Sequence, residues 1–300
     1  MWTHPKHETE WKSELLTKAS AIPLARYKFH STTTTKYLTT IPTTMGNCHR
    51  VASREAEPHY LETRTSPDGK VIQAHDRPTI GDIFPNLKGS TQFNDDFDLY
   101  EYIGSDKWGL IFMHPGDFTP VCTTELGAAA GLADEFEKRN VAVVGFSCNN
   151  AQSHRDWIID IKASTGEQVN FPIFCDPDRS HAKWLGILDQ NNRDRKGLPL
   201  TVRSVYILKP DKQVALVITY PASTGRNMNE ILRVIDSLQI SHEYEVGTPA
   251  NWTPGGRVLI NHTLSDNQAE GRFGRDKIEF VEVPSERFSG AIRRHYLVSF

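Results

Sequence analysis

The sequence predicts an α/β domain, with a mixed central sheet flanked by helices, followed by a small C-terminal domain. Three observations predict it. Two apolar runs of strand length, Trp108–Met113 (WGLIFM) and Val141–Cys148 (VAVVGFSC), are each followed by a stretch of helical spacing. Two β-rich runs then flank the turn signal Lys209-Pro210-Asp211-Lys212, as the arms of an antiparallel hairpin do. A last amphipathic stretch closes the pattern before the chain turns irregular near Ser241.

The regular pattern starts near Thr79. Trp108–Met113 is apolar throughout, which suits a strand covered on both faces. Thr119–Arg139 places Leu126, Ala129, Ala133 and Phe136 on one helical face. Val141–Cys148 repeats the buried-strand pattern, and Ala151–Ala163 is helical again. Ser204–Leu208 and Val214–Tyr220 are the hairpin arms. In the last helix Asn227 and Glu230 make a capping-box-like start. Ile231, Val234, Ile235 and Leu238 follow at i, i+3, i+4 and i+7. Strand, helix, strand, helix, hairpin, helix is the order of thioredoxin-like folds. The predicted divisions are a disordered extension over residues 1–75, the α/β domain over 76–241 and the small domain over 242–300.

The 300 residues are 38% apolar and 24% charged, enough for one or two domains with a hydrophobic core. A net charge of −3 does not mark a general nucleic-acid or membrane-surface binder. No apolar run approaches the roughly 20 residues that span a bilayer. Cys48, Cys122, Cys148 and Cys175 form no CxxC pair and are too few for a disulfide framework. They predict free thiols in a reducing compartment, the cytoplasm in the first reading. The amino-terminal stretch offers an alternative. No acid lies between Glu14 and Glu55, while Lys18, Arg26, Lys28, Lys36, Arg50 and Arg54 do, among many Ser and Thr. That composition resembles an organellar transit peptide and suggests a mitochondrial address. Glu8, Glu10 and Glu14 argue against it, and an unstructured tail is the competing reading.

The informative stretch is His114-Pro115-Gly116-Asp117-Phe118-Thr119-Pro120-Val121-Cys122-Thr123-Thr124-Glu125, which joins a strand to a helix. Cys122 therefore falls at the carboxyl edge of a strand and in the first turn of a helix. Open α/β sheets bind ligands at that edge, and helix N-termini present unpaired N–H groups. The thiolate is the nucleophile, and an ordinary thiol, with a pKa near ~8.5, is mostly protonated at pH 7. A helix N-terminus and a guanidinium both favour the anion. Attack on an O–O bond also needs the departing oxygen stabilised, a task for a Thr hydroxyl and an Arg. Thr119 stands one helical turn before Cys122, and Pro115 and Pro120 fix the loop and remove N–H groups. A lone Cys at such a junction is more often a small buried hydrophobe. The Pro, Thr and Pro around this one have little to do as packing.

Pro115-x-x-x-Thr119-x-x-Cys122, with Pro120-Val121-Cys122-Thr123-Thr124-Glu125 at its core, resembles the active-site motif of the peroxiredoxins. The resemblance runs from about Thr79 to Phe300. It implies a thiol-dependent peroxidase that reduces hydrogen peroxide and organic hydroperoxides, with Cys122, Thr119 and Arg203 as catalytic residues. Arg203 lies in Pro199-Leu200-Thr201-Val202-Arg203-Ser204-Val205 and matches the arginine beside the thiolate. Arg226, in Gly225-Arg226-Asn227, matches a second, buttressing arginine, and Glu125 the acid that links the two. His114, Pro115 and Pro120 complete the implied support. The resemblance also implies a homodimer, no bound cofactor or metal, and an external thiol reductant such as glutathione or thioredoxin. Single residues have duller readings: Arg203 and Arg226 as surface or helix-flanking charges, His114 as a satisfied core histidine.

Two-cysteine members carry a resolving Cys in a Val-Cys-Pro segment after the last core helix. Here Glu245–Trp252 has none, and its Thr-Pro-x-Asn-Trp resembles the C-terminal domain of the one-cysteine subfamily. Without a resolving partner the sulfenic acid stays open to over-oxidation. Cys148 reads as a core hydrophobe. Cys175 reads as a strand-end residue with a chance of exposure and of an unusual resolving role. Some one-cysteine members also hydrolyse phospholipids through a serine loop, but Lys107 in Gly104-Ser105-Asp106-Lys107-Trp108-Gly109 occupies the serine's place, which predicts no such activity. A non-enzymatic holdase or redox-relay partner is the rival outside enzymology. No HExxH, GxGxxG or P-loop pattern suggests a metal or nucleotide site.

Overall fold

The computed structural model describes residues 64–65, 71–72, 77–261, 263–283 and 293–298. Arg64–Thr65 (β1) and Val71–Ile72 (β2) pair antiparallel, with Arg64 opposite Ile72. The other residues of 1–75 lie outside the described ones, and with them most of the predicted disordered extension and its transit-like reading. Lys88–Gly89 (β3) pairs with Phe97–Asp98 (β4). A short helix, α1 (Leu99–Ile103), follows because the Asp98 carboxylate accepts from the N–H groups of Tyr100 and Glu101.

The core elements then run β5 (Trp108–Met113), α2 (Pro120–Gly131), α3 (Ala133–Lys138), β6 (Val141–Ser147), α4 (Ala151–Thr165), β7 (Ile173–Cys175) and α5 (Ser180–Trp184). A two-stranded ribbon of β8 (Leu188–Arg193) and β9 (Pro199–Thr201) leads to β10 (Arg203–Leu208), β11 (Val214–Tyr220) and α6 (Met228–Tyr244). The central sheet has the order β11-β10-β5-β6-β7. β5, β6 and β7 are parallel, while β10 is antiparallel to both β5 and β11, so the sheet is mixed as the sequence predicts.

Strict alternation along the strands builds two cores. Trp108, Leu110 and Phe112 of β5 and Val141 and Val143 of β6 face α2, α4 and α6, where they meet Leu126, Trp157, Ile161, Ile231 and Ile235. Ile111, Met113, Ala142, Val144 and Phe146 face the other way, onto Phe84, Leu99, Ile103 and Phe174. Covered on both faces, β5 and β6 are buried at every position.

The single helix predicted over Thr119–Arg139 is two helices. Leu132, after the poor helix former Gly131, leaves helical geometry at φ −100 and ψ 13, and the chain restarts as α3. Ala133, placed by the spacing on the buried face, is exposed in consequence. The start of α6 is half of the predicted capping box. Asn227 accepts from the N–H groups of Asn229 and Glu230, but the Glu230 carboxylate bonds Arg233 instead of closing back.

α6 runs through the predicted division at 241/242 as far as Tyr244. A second, antiparallel sheet follows: β12 (Val246–Gly247), β13 (Val258–Ile260), β14 (Ile278–Val283) and β15 (Arg293–Val298), in the order β12-β13-β15-β14. A helix, α7 (Asp266–Phe273), starts on a full capping box between Ser265 and Gln268. Val246, Trp252, Val258, Ile260, Phe273 and Ile278 form a separate apolar cluster here, against Ile240 and Tyr244 of α6. Among the described residues no helix is long and apolar enough to cross a membrane.

One contact ties α4 of this scaffold closely to α2. A Cβ at Gly127 of α2 would stand 2.6 Å from Thr165 Cγ2 of α4. Gly127→Val is expected to overpack this seam and destabilise the fold by about 1–3 kcal/mol in urea unfolding. An unchanged midpoint would show that the helices do not depend on this close approach.

Candidate active site

Cys122 is the third residue of α2, fully buried. Pro120 supplies a preset φ at the first helical position, where its missing N–H is not needed. Thr119 is the cap residue by geometry, but its side chain does not cap. Its hydroxyl donates to the Gly116 carbonyl at 2.9 Å, so its one hydrogen is not free for a departing oxygen as the sequence led us to expect, and only its lone pairs are available; its own carbonyl accepts from the Thr123 N–H at 3.0 Å. Pro115 is buried and Pro120 exposed. Phe118, just before Thr119, is 53% exposed and is held at φ 58, an uncommon backbone state for a non-glycine residue.

The two arginines separated from Cys122 by most of the domain meet at one carboxylate. Arg203, first residue of β10, places Nη1 3.2 Å from Cys122 Sγ and 2.7 Å from Glu125 Oε2. Its Nε and Nη2 donate to the Ala222 carbonyl at 2.8 and 2.6 Å, so the guanidinium is fixed in direction. Arg226 grips the same Glu125 from its backbone N–H and Nε to Oε1, and from Nη2 to Oε2, at 2.7 to 2.9 Å. Its Nη1 donates to the Met113 and Ser204 carbonyls, and its plane lies 3.4 Å over the Phe112 ring. All three side chains are buried. Burial alone would raise the Glu125 carboxyl, but the hydrogen bonds and charge of Arg226, with the charge of Arg203, hold it below its ordinary value.

The geometry thus collects Cys122, Thr119, Glu125, Arg203 and Arg226 as predicted. It also places His114 in a second buried group that the reading of the sequence missed. Asp117 Oδ1 lies 2.9 Å from His114 Nε2, and Oδ2 lies 2.8 Å from His154 Nδ1 and 2.6 Å from Ser153 Oγ. Burial works against the Asp117 anion, yet the hydrogen bonds from both imidazoles hold it well below the usual carboxylate range. Burial also lowers His114 below an ordinary histidine. His154 sits at i−3 and i−7 from the buried Trp157 and Ile161 of α4. A histidine on a core stripe was the signal available in the sequence. Among the described residues His114, Asp117 and His154 are the group whose ligand atoms come close enough for a metal. Their 2.8–2.9 Å contacts are hydrogen-bond lengths. Donors around one tetrahedral zinc stand roughly 3.3 Å apart.

Comparison with known proteins decides the family. The AhpC/TSA family pattern matches residues 80–217. The 1-Cys peroxiredoxin of Dirofilaria immitis is 43% identical over 232 residues, 73% of this chain and 94% of the relative. The 1-Cys peroxiredoxin A of Oryza sativa subsp. japonica is 46% identical over 208 residues, 69% of this chain and 93% of the relative. The chain belongs to the one-cysteine peroxiredoxins. Among solved structures, a cysteine-to-serine mutant of the peroxiredoxin 6 of Arenicola marina superposes with a TM-score of 0.68 at 40% identity, over 74% of this chain and 98% of that one. A yeast mitochondrial 1-Cys peroxiredoxin gives 0.63 at 36% identity, over 74% and 99%.

As a peroxiredoxin the chain is a thiol peroxidase, and its other described thiols are unlike Cys122. Cys175, allowed by the sequence to be exposed, is buried: β7 runs in the sheet against β6, and Ser147 and Cys175 are register partners. Burial, then the charge of Asp117, pushes its thiol up to about 12. Burial and the charge of Asp176 push Cys148 up to about 12 as well.

Glu125 gives a stability test with a defined sign. Its folded value is depressed, so its contribution is complete above the ordinary glutamate range near ~4.3 and is lost as pH falls through the depressed value. Glu125→Gln leaves two buried guanidinium groups facing no anion and is expected to cost about 3–5 kcal/mol at pH 7. Urea titrations of the variant should also show a flatter loss of stability in acid than the parent. Equal acid slopes would remove Glu125 as the source.

Proposed function

We propose that Cys122 carries the peroxidase reaction as a thiolate, through a sulfenic acid that an external thiol reduces. The observation that carries this reading is the Arg203 Nη1 contact with Cys122 Sγ at 3.2 Å, made by a guanidinium already locked onto Glu125 and Ala222. Thiolate sulfur attacks one peroxide oxygen, the S–O bond forms and the O–O bond breaks. The attacked oxygen keeps its hydrogen as S–OH, and the departing oxyanion takes a proton and leaves as water or alcohol. Sulfur gives up two electrons and the peroxide accepts them. Arg203 donates and the Thr119 lone pairs accept, and this pair orients the O–O bond against sulfur. Glu125 and Arg226 hold Arg203 in place, Pro115 and Pro120 hold the loop, and His114 borders it.

Return of the sulfenic acid to thiol falls to an added reductant. Cys148 and Cys175 are both buried, and thiols pushed up to about 12 supply almost no thiolate near neutral pH. The yeast relative's structure concerns thiol resolution through glutathione and thioredoxin systems, and the same class of reductant suits this chain. We place the protein as a homodimer, on its family membership, in the cytoplasm or the mitochondrion. Free Cys122, Cys148 and Cys175 agree with a reducing compartment.

Cys122→Ser is expected to abolish hydrogen peroxide consumption, and Arg203→Ala to slow Cys122 oxidation by about 100-fold or more, of the order seen for loss of one oriented donor. Stopped-flow oxidation kinetics check both, and a Cys122→Ser protein as fast as the parent would sink the reading. Intact mass after one equivalent of peroxide should show the mass of one added oxygen. With glutathione present it should show a mixed disulfide. A Cys122–Cys175 bridge would instead make the chain self-resolving.

A further inference from the structure

A cavity of about 480 Å³ lies against the central sheet, on the face that carries the second core. Its floor is Ser204 and Tyr206 of β10 with their register partners Thr219 and Val217 of β11. Arg203 and Val205, between and beside them on β10, point to the opposite face, where Cys122 stands. Strand alternation thus puts the thickness of the sheet between this cavity and the reactive site. Leu185, Ile187 and Val202 give it apolar walls, and Pro78 and the 68% exposed Ile80 come in from the segment before β3. Its volume and apolar lining are those of sites for small organic molecules.

The polar groups of the lining share one character: they donate. Tyr206 is 3% exposed, yet its hydroxyl has no hydrogen-bond partner among the described residues and is not sealed from solvent. A tyrosine buried to this degree usually bonds its hydroxyl, and the cavity it lines is the space left for a partner. Burial raises its phenol above the ordinary value, against the charge of Arg77, so at neutral pH the group keeps its hydrogen. Ser204 Oγ and Thr219 Oγ1 stand 3.0 Å apart. One hydrogen joins them, which leaves the pair a second to give. The Arg77 stem lies across Gly186, where a Cβ would stand 2.6 Å from Arg77 Cδ, and Nη1 donates to the Gly186 carbonyl at 3.3 Å. That uses one of five N–H groups. Among the described residues no carboxylate pairs with Arg77, and none lines the cavity. A fixed cation without an anion, a phenol without an acceptor and apolar walls select the same molecule. We propose that this cavity binds a small carboxylate with an apolar chain, whose oxygens are held by Arg77 and the Tyr206 hydroxyl and whose chain lies along Leu185, Ile187 and Val217. A guanidinium matches the two oxygens of a carboxylate, and hydrogen bonds to an ionised acceptor are the strong ones.

Decanoate tests this, titrated by calorimetry into the assembled full-length protein below its micelle concentration. One molecule per chain should bind, with a dissociation constant below about 1 mM. Decyltrimethylammonium has the same chain and the opposite charge, and acetate has the head without the chain. Each should bind about tenfold more weakly or worse. Arg77→Gln should weaken decanoate about fivefold or more, and Tyr206→Phe about threefold or more, since each removes a donor to a charged group. Val217→Phe fills the floor and should abolish binding. Alkylation of Cys122 by iodoacetamide should keep its rate in saturating decanoate, as a site on the far face of the sheet requires. Equal affinity for the two charges, parent-like affinity in both Arg77→Gln and Tyr206→Phe, or slowing of Cys122 alkylation in step with decanoate binding would each overturn the proposal, the last by putting the anion at Arg203. If Val217→Phe does not fold, Arg77→Gln and Tyr206→Phe carry the test, because one changes an exposed side chain and the other removes only a hydroxyl.

Discussion

The site is organised around the Glu125 carboxylate, which two buried arginines share. Arg203 and Arg226 bring two positive charges into a region where no side chain of the group is more than slightly exposed, and Glu125 returns one negative charge. One unit of positive charge is left over, and the Nη1 atom that bonds Glu125 is also the one that touches Cys122 sulfur. Charges taken out of water are costly unless paired. The Cys122 sulfur is the other acceptor on that Nη1. The ion network therefore does more than hold α2 to the sheet: it aims a fixed cationic donor at the place where the sulfur stands.

That aim is met only because the fold brings distant segments together. Arg203 opens β10 and Glu125 lies in the second turn of α2, while Arg226 precedes α6. β10 pairs with β5, the strand that feeds the loop into α2, with Val205 opposite Phe112. Strand pairing thus fixes the distance between the end of β5 and the start of β10, and Arg226 closes the gap by bonding carbonyls of both Met113 and Ser204. Its guanidinium carbon also lies over the ring of Phe112, a residue of the first core. Core packing and site geometry are one structure here, since a shift in the apolar layer moves the cation that orients the nucleophile.

The fold class was legible because strands buried on both faces leave an unbroken apolar run, and WGLIFM and VAVVGFS leave little else to read. The long core helices were legible to within a turn, except where Gly131 and Leu132 split one predicted helix, a local backbone effect that the spacing of apolar residues does not register, while the short α1, α5 and α7 were not predicted at all. Short strands such as Lys88–Gly89 carry too few residues for a period, and the second sheet is assembled from a region that reads as irregular. Cys122, Thr119 and the prolines announced themselves by their crowding into one stretch. Arg203 and Arg226 were found through resemblance, because nothing local distinguishes a buried arginine from a surface one. His154 escaped altogether. It sits on an ordinary amphipathic helix, and only the third dimension sets it against Asp117, 37 residues earlier.

The reactive loop is thus held from two sides by two different ionic devices. On one side a carboxylate between guanidinium groups presents a hydrogen-bond donor to sulfur. On the other a carboxylate between imidazoles leaves a nitrogen electron pair unmatched. Phe118, forced to positive φ between the anchored Asp117 and the cap at Thr119, is where the backbone absorbs both constraints. Arg203 is held in direction by Glu125 and Ala222 against a cysteine with no surface of its own exposed, so this donor faces sulfur without any rearrangement of solvent: folding has completed that orientation in advance.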